Sequence, residues 1–185
     1  METRRSEAHR TETRPPEARR QNIDVTLPNY GRMLRLADEF FSVRTDPEQL
    51  NVTPEMMDRM KRIHPATLSD YSTPDGPVVW ILVIPTTRAV MERFLKKDIS
   101  EPQLLDFTPM PGVYDALYLC SALVLPEYRK KGLAVKVANE AIASIRGDHP
   151  IRTLFYWEFS EEGRRLAEAV SRASGLPLRL RHRKV

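Results

Sequence analysis

The segment 118–135 changes from a strand pattern to a helix pattern across a short basic turn. Residues 118–125 carry no charge and are mostly apolar, which predicts a largely buried strand. Pro126 ends this strand because it has no N–H to donate to a ladder. From residue 133 to 146, Ala134, Ala138, Ile142 and Ile145 recur at helical spacing. The sequence therefore predicts a helix that begins directly after the turn.

The turn itself combines positive charge with small residues. Arg129, Lys130 and Lys131 precede Gly132, and Ala134 follows in the first helical turn. That turn has free backbone N–H groups and the positive end of the helix dipole. Small residues allow a ligand to approach the backbone closely. The pattern predicts a phosphate site at a helix N-terminus, with an ordinary solvated turn as the alternative. It is neither a Walker loop nor a G-x-G-x-x-G motif.

Two short motifs in this segment carry a family resemblance. Arg129, Gly132 and Ala134 match Arg/Gln-x-x-Gly-x-Gly/Ala, and Val124 and Pro126 match the aliphatic and proline positions that precede it. The segment resembles the GCN5-related N-acetyltransferase family over residues 118–135. The resemblance implies an α/β (α+β) fold with a mixed central sheet flanked by helices.

The same resemblance implies acetyl-CoA as co-substrate, with no metal. The pyrophosphate would lie on the turn formed by Arg129, Lys130, Lys131, Gly132, Leu133 and Ala134. The pantetheine arm would bond to the backbone of Leu123, Val124 and Leu125. Ser160, at the end of the next strand, is a further expected contact of the cofactor.

The elements after the turn repeat the order of strand and helix. Residues 151–159 are rich in β-branched and aromatic side chains and predict a strand. Ser160 fits an N-cap, the apolar stripe through residues 166–173 predicts a helix, and Gly175 fits its C′ position. The alternating tail 178–183 predicts a last strand, whose arginines would form a charged, solvent-facing edge.

The N-terminal half predicts further helices and one very apolar strand. Helices are expected over 30–43 and 53–63, and the turn at Gly76 leads into a central strand over 78–84. Helices opening at residues 85–87 and at Ser100 would then separate this strand from residue 118. The family has a β-hairpin there, so the sequence predicts a helical insertion before the motif strand. His64 is expected to be a surface or capping residue rather than a ligand.

Composition limits the domain plan. Residues 1–21 mix arginine and glutamate with almost no large apolar side chain and are predicted to be disordered, which leaves 22–185 as a single domain. No signal or spanning segment is seen, so a soluble, cytoplasmic protein without membrane contact is expected. The one cysteine, Cys120, has no partner for an internal disulfide.

The catalytic groups are the least defined part of the sequence. Many family members have a tyrosine acid four residues before a Gly-Phe pair, and here Ser171 stands at that position before Gly175-Leu176. Tyr118 takes the place of the glutamate base of histone-type members, although burial would raise its pKa and favours a packing role. Glu158 is the nearest carboxylate. Tyr118 and Glu158 are therefore the candidate proton-transfer residues.

Three functions remain open from the sequence. The first is an acyl-CoA-dependent N-acetyltransferase that acts by direct attack of an unidentified small-molecule or peptide amine. The second is a non-catalytic CoA-binding or regulatory module. The third is a basic nucleic-acid-binding domain that uses Arg179, Arg181, Arg183 and Lys184, which a net charge of +4 permits without requiring.

Overall fold

A computed structural model describes residues 26–42 and 47–182. The predicted tail at 1–21 lies outside these residues, as do Arg183 and Lys184. The helices are α1 (Pro28–Ser42), α2 (Pro54–Ile63), α3 (Arg88–Leu95), α4 (Glu101–Phe107), α5 (Leu133–Asp148) and α6 (Glu161–Ser174). The strands are β1 (Leu68–Thr73), β2 (Gly76–Thr86), β3 (Ala116–Val124), β4 (Thr153–Trp157) and β5 (Leu178–Arg181).

The five strands form one mixed sheet in the order β1-β2-β3-β4-β5. The pairs β1–β2 and β2–β3 are antiparallel, whereas β3–β4 and β4–β5 are parallel. Helices α5 and α6 connect the parallel strands, which need such crossovers. The predicted fold class, a mixed sheet flanked by helices with α3 and α4 inserted before the motif strand, is confirmed.

Helices α1 and α3 pack on one face of the sheet. The ring of Trp80 on β2 meets Tyr30 of α1 at 5.9 Å, and Tyr118 on β3 meets Phe94 of α3 at 5.0 Å. Tyr118 pairs with Ile84, four residues after Trp80, so these side chains share a face.

Helix α5 covers the other face. Its Lys136 ammonium lies over the ring of Tyr71 on β1, 5.4 Å from the centroid. Tyr71 pairs with Val79, the neighbour of Trp80 in β2, and neighbouring side chains of a strand point to opposite faces. Both faces of β2 are thus covered, which explains why its side chains are almost all buried.

Side-chain caps fix the starts of four helices. Thr53, Thr87, Ser100 and Ser160 each accept a hydrogen bond from the first turn of α2, α3, α4 and α6, and Ser100 forms a capping box with Gln103. Gly175 ends α6 with φ of 68°, as the sequence predicts. These caps are readable in the sequence because serine and threonine oxygens satisfy the otherwise free N–H groups.

Strand β2 is longer than predicted, and strand β1 was not predicted. Pro85 and Thr86 do not open α3; they extend β2 and pair with Leu117 and Ala116. Strand β1 is half exposed and its sequence has no strong apolar pattern. It forms a strand because its backbone hydrogen-bonds to β2. In the residues that the structure describes, no helix is long and apolar enough to cross a membrane.

The predicted arginine edge of β5 is only partly right. Arg179 is exposed and pairs with Glu92 of α3. Arg181 is instead 1% exposed, because its guanidinium lies between the rings of Phe94 and Trp157, at 4.2 and 4.3 Å. The alternating pattern correctly predicts that Arg179 and Arg181 lie on the same face of β5. It does not show that Arg181 is buried, because the rings that cover it belong to α3 and β4.

The prediction of His64 as a surface residue is wrong, and its capping role is confirmed. The ring is 4% exposed and its Nδ1 accepts a hydrogen bond from the Ala66 N–H at 3.0 Å. Its Nε2 lies 3.0 Å from a carboxylate oxygen of Asp148, at the end of α5. His64 therefore joins the end of α2 to the end of α5.

We expect His64→Ala to lower the free energy of unfolding by about 1–3 kcal/mol, because it removes a buried imidazole and leaves the part-buried Ala66 N–H without its acceptor. Asp148→Asn is the matched control, since that side chain is 70% exposed and its loss of charge should cost less than about 1 kcal/mol. Urea unfolding followed by circular dichroism measures both. Equal, small losses would contradict a structural role for the imidazole.

Candidate functional site

The N-terminus of α5 lacks the side-chain cap that four other helices have. Gly132 occupies the N-cap position with φ of 74°, and no side chain bonds to the first turn. Lys130 also adopts positive φ, at 59°, so the turn is tight on both sides of Lys131. No atom lies within 4 Å of where a Gly132 Cβ would stand. The N–H groups of the first turn of α5 therefore have no side-chain acceptor, and no neighbouring element fills the space beside Gly132.

Strand β3 runs past the point where β4 leaves it. The last pair of the β3–β4 ladder is Leu119 with Tyr156, but β3 continues to Val124. At the same point β3 has a bulge: Leu82 pairs with Ser121 and Val83 with Leu119, so Cys120 is the extra residue. Bulges bend a strand and end its pairing. The C-terminal half of β3 therefore has one side that β4 does not pair.

The direction of the backbone groups decides which residues serve this open side. The Leu125 N–H donates to the Val78 carbonyl of β2 at 3.0 Å. Because residues alternate in an antiparallel ladder, Leu123 also directs its backbone groups to β2, whereas Ala122 and Val124 direct theirs to the open side. Of the three predicted pantetheine contacts, only Val124 has this direction. Leu123 and Leu125 do not, whereas Ala122, which the sequence analysis did not select, does.

Arg129 closes part of this edge. Its Nε donates to the Val124 carbonyl at 3.1 Å, which leaves the Val124 N–H for another partner. The side chain is exposed, so the outer guanidinium nitrogens reach the solvent beside the turn. Arg129 thus holds the end of β3 against the turn and contributes charge there.

The other basic residues of the turn are exposed. Lys131 places its ammonium 5.2 Å from the centroid of the Tyr128 ring, and Lys130 is also exposed. Leu133 and Ala134, in the first turn of α5, are half-buried. The only acidic neighbour in this stretch, Glu127, pairs with Arg32 of α1 at 2.6 Å, which holds the pKa of Glu127 below its usual range. The potential around the turn is positive.

Ser160 is committed to capping. Its Oγ accepts from the Gly163 N–H at 3.0 Å at the start of α6. It lies three residues after the end of β4. A contact between Ser160 and the cofactor stays a prediction.

Tyr118 is built into the core. It is 1% exposed, stacks near Phe94 and Phe155, and its hydroxyl donates to a Glu101 carboxylate oxygen. Burial first, and then the charge of Glu101, raise the pKa of Tyr118 well above its usual value. A phenol in this position stays protonated and has no route to a substrate, so the packing interpretation is favoured over that of a base.

Glu158 stands closer to the opening. It follows β4 directly, is about one-third exposed, and lies 3.8 Å from the Arg164 guanidinium of α6. Tyr156, at the last β3–β4 pair, is a further phenol at this point that sequence reasoning did not select. Burial raises the pKa of Tyr156, with Glu158 adding to the effect. Tyr156 thus remains a proton donor near neutral pH.

Ser171, which stands where many members of the family have a tyrosine acid, does not replace that acid. The Ser171 Oγ donates to the Leu176 carbonyl at 2.7 Å and serves the end of α6. Among the described residues, no three His, Cys, Asp or Glu side chains are arranged to hold a metal ion.

No family model, curated protein or solved structure matches this chain. The resemblance to the acetyltransferase family therefore depends on the motif residues 124–134.

Proposed function

We propose that this protein is an acyl-CoA-dependent N-acyltransferase that uses acetyl-CoA. The observation that carries the proposal is the position of two binding features next to each other: the uncapped N-terminus of α5 and the unpaired side of β3. An elongated ligand with a diphosphate at one end and amide groups along its length suits this pair of features.

The binding role of each feature follows from its chemistry. The free N–H groups of the α5 turn and the charges of Arg129, Lys130 and Lys131 favour a diphosphate. The backbone groups of Ala122 and the Val124 N–H favour an amide chain that extends β3 as an added strand would. The thioester would then lie near the Cys120 bulge, where β3 and β4 separate.

The reaction would be a direct transfer. A neutral amine attacks the thioester carbonyl carbon, the carbon–sulfur bond breaks, and the thiolate leaves with a proton supplied by a nearby acid. Glu158, the carboxylate that directly follows β4, would accept the proton of the amine. We take Tyr156 as the candidate acid, because it belongs to the last β3–β4 pair, interacts with Glu158 and stays protonated, although its side chain is only 6% exposed.

Three substitutions separate these roles once an acceptor is found. Glu158→Gln and Tyr156→Phe should each lower kcat by about 10²-fold with little effect on acetyl-CoA affinity, since general acid–base groups contribute this much. Tyr118→Phe is the matched control. It should lower the free energy of unfolding, because it removes the hydrogen bond to Glu101, and leave kcat nearly unchanged. If Tyr118→Phe alone depresses the rate, the base is the core tyrosine and this assignment is wrong.

A second function, a non-catalytic CoA-binding module, is favoured by one observation: Ser171 and Tyr118 both make structural hydrogen bonds, so neither family position supplies a free acid or base. A thiol-release assay with acetyl-CoA, across amino acids, polyamines, aminoglycosides and lysine peptides, separates the two. Release that depends on an amine supports the enzyme. Tight binding with no release from any acceptor supports the module.

The nucleic-acid alternative is not favoured by the described arginines. Arg181 is buried and Arg179 is paired with Glu92, so neither forms a free basic surface.

A further inference from the structure

A cleft of about 440 Å³ lies at the opposite end of the parallel strands from the α5 turn. It is lined by the first residues of β3 and β4, Ala116 and Thr153, and by the start of α3. Its volume falls within the range of small-molecule sites, roughly 300–1,000 Å³. The α5 turn follows the C-terminal end of β3, so this cleft is not part of the proposed acyl-CoA site.

The floor of the cleft is apolar and held in place. Met91 and Ala116, at 1% and 0% exposure, belong to the core beneath the cleft, and the exposed side chains of Pro150 and Val113 supply its accessible apolar surface. Asp115 ties the neighbouring elements together: its N–H donates to the Thr86 carbonyl at 3.1 Å, and its carbonyl accepts from the Arg152 N–H at 2.9 Å. The cleft is therefore formed without a ligand.

Two guanidinium groups give the rim a net positive charge. Arg152 is exposed, and no carboxylate of the residues that the structure describes lies within 4.0 Å of it. Arg88 has a side chain that is 75% exposed and stands 3.8 Å from Glu92, a carboxylate that also pairs with Arg179. The Asp115 carboxylate is already engaged, because it accepts from the Arg88 N–H at 2.6 Å. The lining residues therefore include one carboxylate, that of Asp115, and two guanidinium groups, those of Arg88 and Arg152.

We propose that this cleft binds a small organic anion, with its carboxylate or phosphate between Arg88 and Arg152 and a short apolar body against Val113 and Pro150. Guanidinium groups suit both oxyanions because their planar N–H donors match two oxygens at once. The apolar surface of Val113 and Pro150 favours a ligand with a hydrocarbon portion over a fully hydrated ion.

The test is an amide NMR titration of the full chain with benzoate, phenyl phosphate and the neutral isostere benzamide. Benzoate or phenyl phosphate should shift amides at residues 87–88, 113–116 and 152–153, and the tighter of the two identifies the preferred anionic group. Arg152→Gln and Arg88→Gln should each weaken this binding about tenfold, the usual worth of a charge-assisted hydrogen bond. Arg146→Gln, an exposed arginine outside the cleft, should leave it unchanged.

Two results would overturn the proposal: benzamide binding as well as benzoate, or no shift in the cleft with any of the three probes. Binding that survives in both arginine variants would do so as well. The result is separable from the proposed function, because Gly132→Asp should keep full affinity for phenyl phosphate at this cleft even where it abolishes acetyl-CoA binding.

Discussion

Gly132→Asp is expected to weaken acetyl-CoA binding by at least about 10²-fold, which corresponds to roughly 2.7 kcal/mol. The carboxylate would stand at the N-terminus of α5, in the space that the diphosphate needs, and would repel it. The substitution should cost roughly 1–2 kcal/mol for a Cβ at positive φ but preserve the fold, because no atom of a neighbouring element lies within 4 Å of the added Cβ. Aspartate also tolerates positive φ better than most residues. Isothermal titration calorimetry measures the affinity.

Gly132→Asn is the matched control for charge. Asparagine has nearly the same shape as aspartate and can cap the same N–H groups, but it carries no charge. It should lose about tenfold through partial occupation of the site, and clearly less than aspartate. Lys130→Ala should lose less than either, since the backbone N–H groups supply most of the contact. Equal affinity of Gly132→Asp and the parent would remove the phosphate site from the turn.

The largest effect on stability is expected for Arg181→Ala, at about 3 kcal/mol lost or more. The guanidinium donates to the Ile99 carbonyl at 2.9 Å and to Glu48 at 2.6 Å, and it fills the space between Phe94 and Trp157. Its removal leaves a buried carbonyl without a donor and a cavity between two rings. For a domain of this size, the melting temperature should fall by roughly 6–12 °C.

Arg179→Ala provides the matched control on the same strand. Arg179 has the same chemistry two residues earlier, but its side chain is 42% exposed and its ion pair with Glu92 is accessible to water. The loss should stay below about 1 kcal/mol. Similar losses for the two variants would show that the burial of Arg181 contributes nothing to the fold.

The order of elements after residue 116 was predictable because local signals agree there. The uncharged strand, the proline, the glycine turn and the Ser160 cap each specify one boundary without help from distant residues. Strand β1 was not predictable, because residues 68–73 are polar and half exposed and form a strand only beside β2. The contact of His64 with Asp148 and the burial of Arg181 between Phe94 and Trp157 likewise depend on residues far away in sequence.

The candidate site also has one part that the sequence predicts and one part that it does not. The α5 turn could be read from Gly132 and its basic neighbours, because a helix start is a local feature. The side of β3 that each backbone group serves could not, since it depends on the register with β2 and on the bulge at Cys120. That register replaces Leu123 and Leu125 with Ala122 as the neighbour of Val124 on the open side.

The most direct test of the proposed acyl-CoA site is an amide NMR titration of the full chain with acetyl-CoA. We expect the largest shifts in the N–H groups of residues 131–135 and in those of Ala122 and Val124, with saturation at one equivalent. Shifts confined to other parts of the chain, including the Arg88–Arg152 cleft, or no saturable shift at all, would contradict it.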